Sequence, residues 1–400
     1  MTYAYRLIMT LFAAVLLLAA CGGQPAVPQA PEPTATPAAE APAAETTDSA
    51  AAPAMDAIST DLLCTDGFRF FDHDLLASEP TCIPANPQRV AYLVYPSYLY
   101  PFGINPVAAW GLERDAENYP FIADWIRDGT VDHGLFPPNL EVLVEQNPDL
   151  ILYPDGVAPE VLDELAAIAP FVLYGGDSSN PPTWQDNHRF VGAVFNQVAL
   201  AEEQIAVYDQ RVAELRTALA ESLGDLGEIT ISVVRLAAEG SISLQSPLIA
   251  SVAIIKEVGF AIPDAIDMSV AEMQETYNIP SGALSISKEE ITLADGEVLF
   301  VLGSPGGAGA QRAEGNRLIS DIMDDPIWQS LRAFEAKAVY GKGDVWMQGN
   351  LLTAHLIIDD LAEIFAVEFA TPNPFLTESE ASAPASDVVY PSIVTGGFNT

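Results

Sequence analysis

Basic residues are scarce in this chain of 400 residues. Its 16 Lys and Arg stand against 55 Asp and Glu, which gives a formal net charge of −39 at pH 7. Proteins bind nucleic-acid backbones through clustered cations, so the composition argues against a nucleic-acid partner. It also disfavours long-range attraction of strongly anionic ligands, although a local basic pocket would override this effect.

Motifs for catalysis and metal binding are also missing. The sequence has no HExxH pair and no GxSxG nucleophile elbow. A catalytic pair of carboxylates stays open as an alternative because 55 acids are present, yet no two of them stand out. We therefore expect no catalytic residues and no resident metal. The four histidines are far apart in the sequence: His73, His133, His188 and His355.

The first 20 residues have the pattern of a signal peptide. Arg6 supplies a positive charge, and the apolar run 7–18 that follows is too short to span a bilayer. The ending Leu-Ala-Ala-Cys resembles a bacterial lipobox, which implies cleavage before Cys21 and lipid on its sulfur. We then expect a protein anchored by lipid to the bacterial cell membrane on its extracytoplasmic side, periplasmic or cell-surface. The alternative is an ordinary secretory signal with an incidental cysteine.

Two cysteines remain once Cys21 carries lipid. Cys64 and Cys82 are an even pair in an oxidising exterior, where disulfides form and persist. We predict a disulfide between them, which contributes about 3 kcal/mol of stability in the chain-entropy model. A thiolate metal site is the alternative, but the sequence has no CxxC spacing and no neighbouring pair of histidines.

Composition and patterning divide the chain into seven segments. These are a lipoprotein signal peptide (1–20), a Pro/Ala-rich tether (21–56), a disulfide-stapled leader (57–86), an N-terminal α/β lobe (87–182), a connecting helix (183–224), a C-terminal α/β lobe (225–370) and a disordered tail (371–400). The tether lacks aromatic residues and cations, and the tail is rich in Ser, Ala and Pro. Neither segment has the composition of a packed core.

The two lobes alternate short apolar strands with helices. We predict strands at 89–95 and 149–153 in the first lobe and at 228–236 and 297–302 in the second. This alternation is typical of mostly parallel sheets with helices on both faces. We also expect a short strand piece at 345–346 and a mobile Gly-rich loop at 303–309, which lacks the spacing of a phosphate cradle.

Residues 183–224 have the pattern of one uninterrupted helix. Apolar or small residues recur every three or four positions from Val191 to Leu219, and no proline interrupts them. Thr183 is a suitable N-cap, and Gly224 is a suitable end. A helix of about 40 residues would be ~60 Å long, which suits a strut between two lobes. A solitary coiled-coil segment is the alternative.

Two glutamates occupy corresponding places in the lobes. Glu141 and Glu289 each stand eight residues before an acidic residue, Asp149 or Glu297, that opens an apolar strand. Such a match suggests two pseudo-symmetric lobes that present paired acids to a two-fold partner. The alternative is a pair of solvated glutamates at helix starts, where the helix dipole favours them.

Seven segments together resemble a known family. They are NPQRVAYL (86–93), GINPVAAW (103–110), PPNLEVLVEQNPDLILY (137–153) and LAAIAPFVLY (165–174) in the first lobe, and ISVVRLAAEGSISL (231–244), LSISKEEITLADGEVLFVL (284–302) and DPIWQSLRAFEAKAVYGKGDVW (325–346) in the second. They are similar to the substrate-binding lipoproteins of iron-siderophore and cobalamin ABC importers, the helical-backbone periplasmic binding proteins of class III. The resemblance spans about 86–367. It implies an α/β fold of two Rossmann-like lobes, with central mostly parallel sheets, joined by one long rigid α-helix.

The resemblance also implies a function. The protein would capture a ferric siderophore in the cleft between the lobes and deliver it to the permease and ATPase complex of an ABC transporter. No cofactor is implied beyond the lipid on Cys21, and we expect a monomer. In this family an acid on each lobe docks against arginines of the permease. The matching residues are Glu141 and Glu289, with Glu290 as an alternative to the second. The alternative ligands for the same cleft are cobalamin, heme, or a bare zinc or manganese ion.

Candidate ligand-binding residues follow from the same resemblance. Arg235 falls where siderophore binders of this type often carry a cleft arginine, which suits carboxylate or catecholate oxygens. Its alternative role is that of a surface arginine at a strand end. The other candidates are strand-end and loop aromatics, some of which we expect in the core: Tyr95, Tyr98, Trp110, Tyr153, Trp184 and Trp346. The sparse basic content favours a neutral or cationic chelate over a trianionic one.

Overall fold

The computed structural model describes residues 64–134, 137–154, 161–175, 181–237, 240–277, 282–303, 317–318 and 320–376. The predicted signal peptide, Cys21, the tether and most of the Gly-rich loop at 303–309 lie outside the described residues. Among the helices of the described residues, none is both long enough and apolar enough to cross a membrane.

The leader is a two-stranded antiparallel hairpin of β1 (Phe68–Phe71) and β2 (Thr81–Pro84). A disulfide joins Cys64 to Cys82, with their Cα atoms 5.7 Å apart, as the cysteine count predicts. Arg69 of β1 donates hydrogen bonds of 2.8 and 2.7 Å to the carbonyl oxygens of Ala193 and Val194. The leader is therefore fastened to the end of a helix more than 100 residues further along the chain.

The N-terminal lobe contains a five-stranded parallel sheet. Its strands are β3 (Val90–Tyr92), β4 (Ala108–Ala109), β5 (Val131–Asp132), β6 (Leu150–Pro154) and β7 (Phe171–Tyr174), in the order β5-β4-β3-β6-β7. Its helices are α1 (Leu112–Asn118), α2 (Ala123–Arg127), α3 (Leu140–Gln146) and α4 (Leu162–Ile168). The first four residues of β6 are buried, as expected for a strand covered on both faces.

The C-terminal lobe has a sheet of the same strand order. Its strands are β8 (Ile231–Leu236), β9 (Ile242–Gln245), β10 (Ala283–Ile286), β11 (Val298–Gly303) and β12 (Val339–Lys342), in the order β10-β9-β8-β11-β12. Its helices include α7 (Ala250–Val258), α8 (Val270–Tyr277), α9 (Arg332–Glu335) and α10 (Leu351–Ile364). Strands β8, β11 and β12 are parallel, whereas β9 is antiparallel to both its neighbours. The predicted class of two α/β lobes with mostly parallel sheets is confirmed.

The strand piece predicted at 345–346 is wrong. Residues Asp344–Met347 form a 3-10 helix, in which the Trp346 amide donates to the Gly343 carbonyl and the Gln348 amide to the Val345 carbonyl. The Trp346 ring packs 4.6 Å from the Phe300 ring, between ring centroids. Burial of that side chain over β11 therefore decides the local conformation, and the β-favouring residue types do not.

The predicted helix over 183–224 is two helices. α5 (Trp184–Val194) and α6 (Val198–Leu223) are separated by residues 195–197, where Asn196 has a positive φ of 56°. Asn adopts this left-handed conformation more readily than most residues. The Nε2 atom of His188 lies 2.8 Å from the Oε1 atom of Gln204. In one straight helix these residues would be ~24 Å apart, so the chain folds back between α5 and α6.

α6 alone is the connection between the lobes. Its 26 residues make it ~39 Å long. Ala201 near its start belongs to the core of the N-terminal lobe, whereas the later apolar residues belong to the core of the C-terminal lobe: Ile205, Tyr208, Val212, Leu215 and Leu219. Val198, which the predicted stripe would also bury, is 50% exposed. The long helix that joins the lobes is thus present, but it begins 15 residues later than predicted, at Val198 instead of Thr183.

The C-terminal lobe extends beyond the predicted boundary at 370. The Thr371 amide donates to Glu214 of α6 at 2.7 Å, and the Asn373 side chain is buried and donates to Asp359 of α10 at 2.7 Å. The Phe375 ring lies 5.5 Å from the His355 ring. Residues 371–376 therefore pack on the lobe and are not part of a disordered tail. The remaining residues of the predicted tail lie outside the described residues.

Candidate ligand cleft

The two sheets define where a ligand would bind. In open α/β sheets, ligands bind outside the carboxyl ends of the strands, at the point where the strand order reverses. That point lies between β3 and β6 in the N-terminal lobe and between β8 and β11 in the C-terminal lobe. Residues that follow β3 and β4, and those that end β8, are therefore candidates for contact with a ligand.

An aromatic stack follows β3 and β4. The rings of Tyr95 and Trp110 lie 4.8 Å apart at an angle of 34°, and both residues are half-buried. The guanidinium carbon of Arg114, in α1, lies 5.5 Å from the centre of the Tyr95 ring. Gly111 has a φ of 68°, and a Cβ atom there would lie 2.8 Å from the Tyr95 ring. Glycine at this position therefore allows the ring to pack against the backbone between Trp110 and α1.

Tyr98 lies in the 3-10 turn Pro96–Tyr98 that follows Tyr95. Its hydroxyl oxygen accepts a hydrogen bond of 3.2 Å from the Gly349 amide of the C-terminal lobe. Burial raises the Tyr98 pKa, so its hydroxyl stays protonated at neutral pH. Tyr98 thus belongs to the junction between the lobes, next to the aromatic stack.

The C-terminal lobe contributes cations at its strand ends. Arg235 is half-buried near the carboxyl end of β8, the strand that corresponds to β3 in the matched sheet order. Lys342 ends β12, where its Nζ atom lies 2.8 Å from Asp360 and 5.4 Å from the centre of the Trp346 ring. Both cations lie at the edge of the sheet where a ligand would bind.

Three of the predicted aromatic ligand residues are core residues. Tyr153 and Trp346 have no exposed surface, and Trp184 is 4% exposed. Tyr153 packs in the core of the N-terminal lobe with Leu143 and Leu165. The Nε1 atom of Trp346 donates to Asp360 at 2.6 Å. The Trp184 ring lies 4.7 Å from the Tyr208 ring of α6.

These three aromatics do not reach the candidate cleft because each packs within a lobe and does not extend past the end of a strand.

Arg114 was missed by sequence reasoning, although a detectable signal was present. It lies in the first turn of a helix that begins directly after a strand, and that turn lies at the carboxyl end of the strand in a parallel unit.

Glu141 and Glu289 occupy matching places in the two lobes. Both are exposed, one in the first turn of α3 before β6 and the other in the first turn of the 3-10 helix Lys288–Ala294 before β11. The Glu290 side chain accepts a 2.9 Å bond from the Ser287 amide in a capping box, and Glu289 is outside that box.

The acids eight residues later make equivalent contacts. Asp149 accepts bonds of 2.7 and 3.0 Å from the amides of Gln88 and Arg89, which precede β3. Glu297 accepts a 2.8 Å bond from the Thr230 amide, which precedes β8. The matched spacing in the sequence therefore corresponds to matched contacts in the structure. Asp149 fastens the start of β6 to the start of β3, and Glu297 fastens the start of β11 to the start of β8.

A pocket of about 380 Å³ lies beside the start of α3. Its lining includes Asp132, His133 and Asn139. Burial lowers the pKa of His133 to about 4, so its ring is neutral at pH 7. Throughout the described ranges, no three His, Cys, Asp or Glu side chains converge as a metal site requires.

The two matched α/β lobes, the connecting helix and the candidate site at the strand ends define a two-lobed binding protein. The Periplasmic binding protein family matches residues 136–344, more than half of the chain, and the chain belongs to this family. It is a family of binding proteins, which confirms the expectation of binding in place of catalysis.

Several named proteins are similar to this chain. The probable siderophore-binding lipoprotein YfiY of Bacillus subtilis is 27% identical over 288 residues, which cover 71% of this chain and 84% of YfiY. Staphylococcus aureus SirA complexed with staphyloferrin B has a TM-score of 0.61 at 22% identity, and the match covers 75% of this chain and 99% of SirA. The triscatecholate siderophore binding protein FeuA of Bacillus subtilis, complexed with ferri-bacillibactin, has a TM-score of 0.58 at 17% identity, covering 74% and 97%. The two solved structures show that the fold is shared.

Proposed function

We propose that this protein captures a ferric siderophore between its two lobes and delivers it to an ABC importer. YfiY and SirA are named for siderophore binding or contain a siderophore, and a second similar protein of Bacillus subtilis is named as the binding protein of an iron-uptake system. The observation that carries the proposal is the stack of Trp110, Tyr95 and Arg114 after β3 and β4.

The chemistry of that stack suits an iron chelate. Aromatic faces pack against the apolar parts of a ligand, and a guanidinium binds carboxylate or catecholate oxygens in a bidentate way. Arg235, near the end of the corresponding strand of the other lobe, supplies a second cation for the same ligand. Tyr98 is a residue at the edge of this site, between the aromatic stack and the contact of its hydroxyl with the Gly349 amide of the other lobe.

We also propose the remaining parts of the organisation read from the sequence. Residues 1–20 direct export, Cys21 carries lipid, and 21–56 tether the lobes 87–182 and 225–376 to the extracytoplasmic face of the membrane. The name of YfiY as a lipoprotein supports the anchor. The protein works as a monomer, and Glu141 and Glu289 dock on the two-fold permease. The capping box that holds Glu290 favours Glu289 for this role.

The test is a tryptophan-fluorescence titration of the chain with Cys21→Ser, which prevents lipid attachment. Ferric catecholate, ferric hydroxamate, ferric citrate, cobalamin and heme are added in turn, with each iron-free chelator as the control. Saturable quenching by one iron chelate and not by its iron-free form supports the proposal. Binding of cobalamin or heme alone, or stabilisation by submicromolar zinc without a chelator, would replace the siderophore with that ligand.

A further inference from the structure

A buried carboxylate lies where the two lobes meet. Asp115 of α1 has no exposed surface. Its Oδ2 atom accepts a 2.8 Å hydrogen bond from the Ser97 amide, and its Oδ1 atom accepts a 2.8 Å bond from the Ser97 hydroxyl. The Gln348 side-chain amide, in the C-terminal lobe, donates to the same Oδ1 atom at 3.4 Å. One side chain thus joins the turn after β3, α1 and the segment before α10.

The surroundings of this carboxylate form a continuous buried polar network. The Tyr119 hydroxyl lies 2.9 Å from Oε1 of Gln348 and 2.6 Å from Oγ1 of Thr353. The Asn350 side-chain amide donates to Tyr119 and to Gln348, both at 3.0 Å. All four side chains are buried. Such networks are costly when one member loses its partner, so they fix the geometry of the groups they join.

Asp115 is adjacent to the candidate ligand cleft through the chain on both sides. Arg114 precedes it in α1, and Ser97 lies between Tyr95 and Tyr98 in sequence. We propose that Asp115 is a positioning residue that holds the Tyr95–Trp110–Arg114 stack and the junction to Gln348 in place while it is protonated, and that its ionisation loosens the junction and weakens ligand binding. The part that concerns the ligand rests on the proposed function, whereas the part that concerns the junction does not.

The junction is sensitive to this proton because the carboxyl group is buried there, out of contact with water. An ionised carboxylate in the closed junction loses its hydration, and the three donors from Ser97 and Gln348 replace only part of it. A protonated carboxyl is neutral and does not carry this cost, so ionisation favours an arrangement that readmits water. The bond to Gln348 is the longest of the three, so we expect the contact between the lobes to be lost first.

The charges around Asp115 let it titrate near neutrality. Burial raises its pKa to about 7, against the opposing effects of the Ser97 and Gln348 hydrogen bonds and of the positive charge of Arg114. The other ionisable groups that face it are the phenols of Tyr92, Tyr98 and Tyr119, whose own pKa values burial raises. These phenols stay neutral over the same range, so they do not mask the titration of Asp115.

The test measures the arrangement of the lobes without a ligand. Spin labels on Asp163→Cys of α4 and Glu275→Cys of α8, both exposed positions in the full chain, report the distance between the lobes at pH 5.5 and 8.5. We expect a narrow distance distribution at pH 5.5 and a broader one at pH 8.5, with a midpoint near 7. Asp115→Asn, which is neutral at every pH, should give the narrow distribution at both values.

Two further variants keep the test decisive. Ser97→Ala removes a donor that stabilises the ionised form, so the midpoint should move to higher pH; this variant also serves if Asp115→Asn does not fold. Asp124→Asn, an exposed aspartate of α2, should behave as the parent protein does. Identical distributions at both pH values in the parent protein, or a pH response that survives in Asp115→Asn, would overturn the proposal.

The affinity for the ligand is measured separately from the distance between the lobes. For the ferric chelate that binds in the titration above, we expect the dissociation constant of the parent protein to rise by up to about tenfold from pH 5.5 to 8.5, which is the effect of a shift of about one pKa unit between the free and bound forms. The ratio to Asp115→Asn at each pH cancels the titration of the chelate itself. A constant ratio would overturn the link to affinity, and failure of all ligands to bind would count against the proposed function without touching the distance result.

Discussion

The Nε2 atom of His188 lies 2.8 Å from the Oε1 atom of Gln204, although 16 residues separate the two along the chain. This contact holds α5 against α6 where the chain folds back at residues 195–197, a turn that we call the corner. Beside it, Arg189 of α5 forms an ion pair of 2.7 Å with Glu202 of α6. Burial lowers the pKa of His188 to about 4, so the ring is neutral and hydrogen-bonded at physiological pH.

The close approach of the two helices at this corner leads to a prediction for Gly192. A Cβ atom there would lie 2.9 Å from the Ala201 Cβ atom and 3.2 Å from the Gln197 carbonyl oxygen. We expect Gly192→Ala to destabilise the protein by about 1–3 kcal/mol through overpacking. Helix propensity alone would favour alanine over glycine by about 1 kcal/mol, so the two effects have opposite signs.

Urea unfolding of both proteins measures this effect. The control is Ala199→Gly at an exposed position of α6, which reports the propensity effect without a packing change. A Gly192→Ala protein as stable as its parent, or more stable, would show that the corner has room for a methyl group.

The stack in the candidate cleft leads to a second prediction. Arg114→Gln removes a charged donor while keeping a side chain of similar reach, and bonds to charged groups contribute roughly 1.5–3 kcal/mol. We therefore expect the affinity for the ferric chelate to fall by about tenfold or more. Arg127→Gln in α2, where the exposed arginine pairs with Glu113 at 2.8 Å, is the matched control and should leave affinity unchanged.

Titration calorimetry of both variants decides the point. Tyr153→Phe should also bind normally, because that ring has no exposed surface. Equal affinities of the Arg114 and Arg127 variants would remove Arg114 from the site.

The paired glutamates lead to a prediction about transport. We expect Glu141→Lys with Glu289→Lys to abolish uptake of the iron chelate, because paired charges at two separated points orient the docking of a partner. Ligand affinity should be unchanged, since both side chains are exposed in the first turns of their helices. Uptake by cells and binding by the purified protein are measured in parallel.

The control for this experiment is Glu203→Lys with Glu275→Lys. These exposed residues of α6 and α8 give the same change in net charge at other sites. Loss of uptake in the control would attribute the effect to overall charge. Loss of ligand affinity in the Glu141 and Glu289 variant would place these residues in the cleft or the fold.

The buried carboxylate of Asp115 leads to a prediction about stability and pH. Its pKa is raised to about 7 in the folded protein from 3.8 for an exposed aspartate, chiefly by burial. Between these values the folded state keeps a proton that the unfolded state releases, so stability falls as the pH rises through this window and levels off above about 7. The contribution is on the order of 4 kcal/mol at most, from the conversion of about 3 pKa units.

Unfolding free energies at pH 5 and pH 8 test this directly. The difference between the two values should be smaller in Asp115→Asn than in the parent protein by a few kcal/mol. An equal difference in both proteins would mean that Asp115 does not carry the raised pKa.

Much of the architecture was predictable from local patterns. The interior strands β6 and β11 contain continuous apolar runs, residues 150–153 and 298–302, and all of these residues are buried, as expected for strands covered on both faces. The equal spacing of Glu141 to Asp149 and of Glu289 to Glu297 indicated matched lobes, because Asp149 and Glu297 each end a helix-to-strand connection and accept a bond from the backbone before the neighbouring strand. The leader disulfide followed from the pair of cysteines, Cys64 and Cys82, that remains when Cys21 is assigned to the predicted lipobox.

Other features were decided by tertiary contacts alone. Residues 183–224 satisfy a helical pattern throughout, yet the chain turns at Asn196 because Gly192 and Ala201 can approach each other and the leader caps α5 through Arg69. Likewise, no local signal separates Tyr95, which lies after a strand end, from Tyr153, which is sealed in a core, because both are aromatic residues near the end of an apolar run. Sequence by itself determined the class of elements and their order, since these depend on periodicity and composition. Only the tertiary structure decided where the connecting helix begins, which aromatics reach the cleft and that Asp115 joins the lobes, since these depend on contacts between residues distant in the chain.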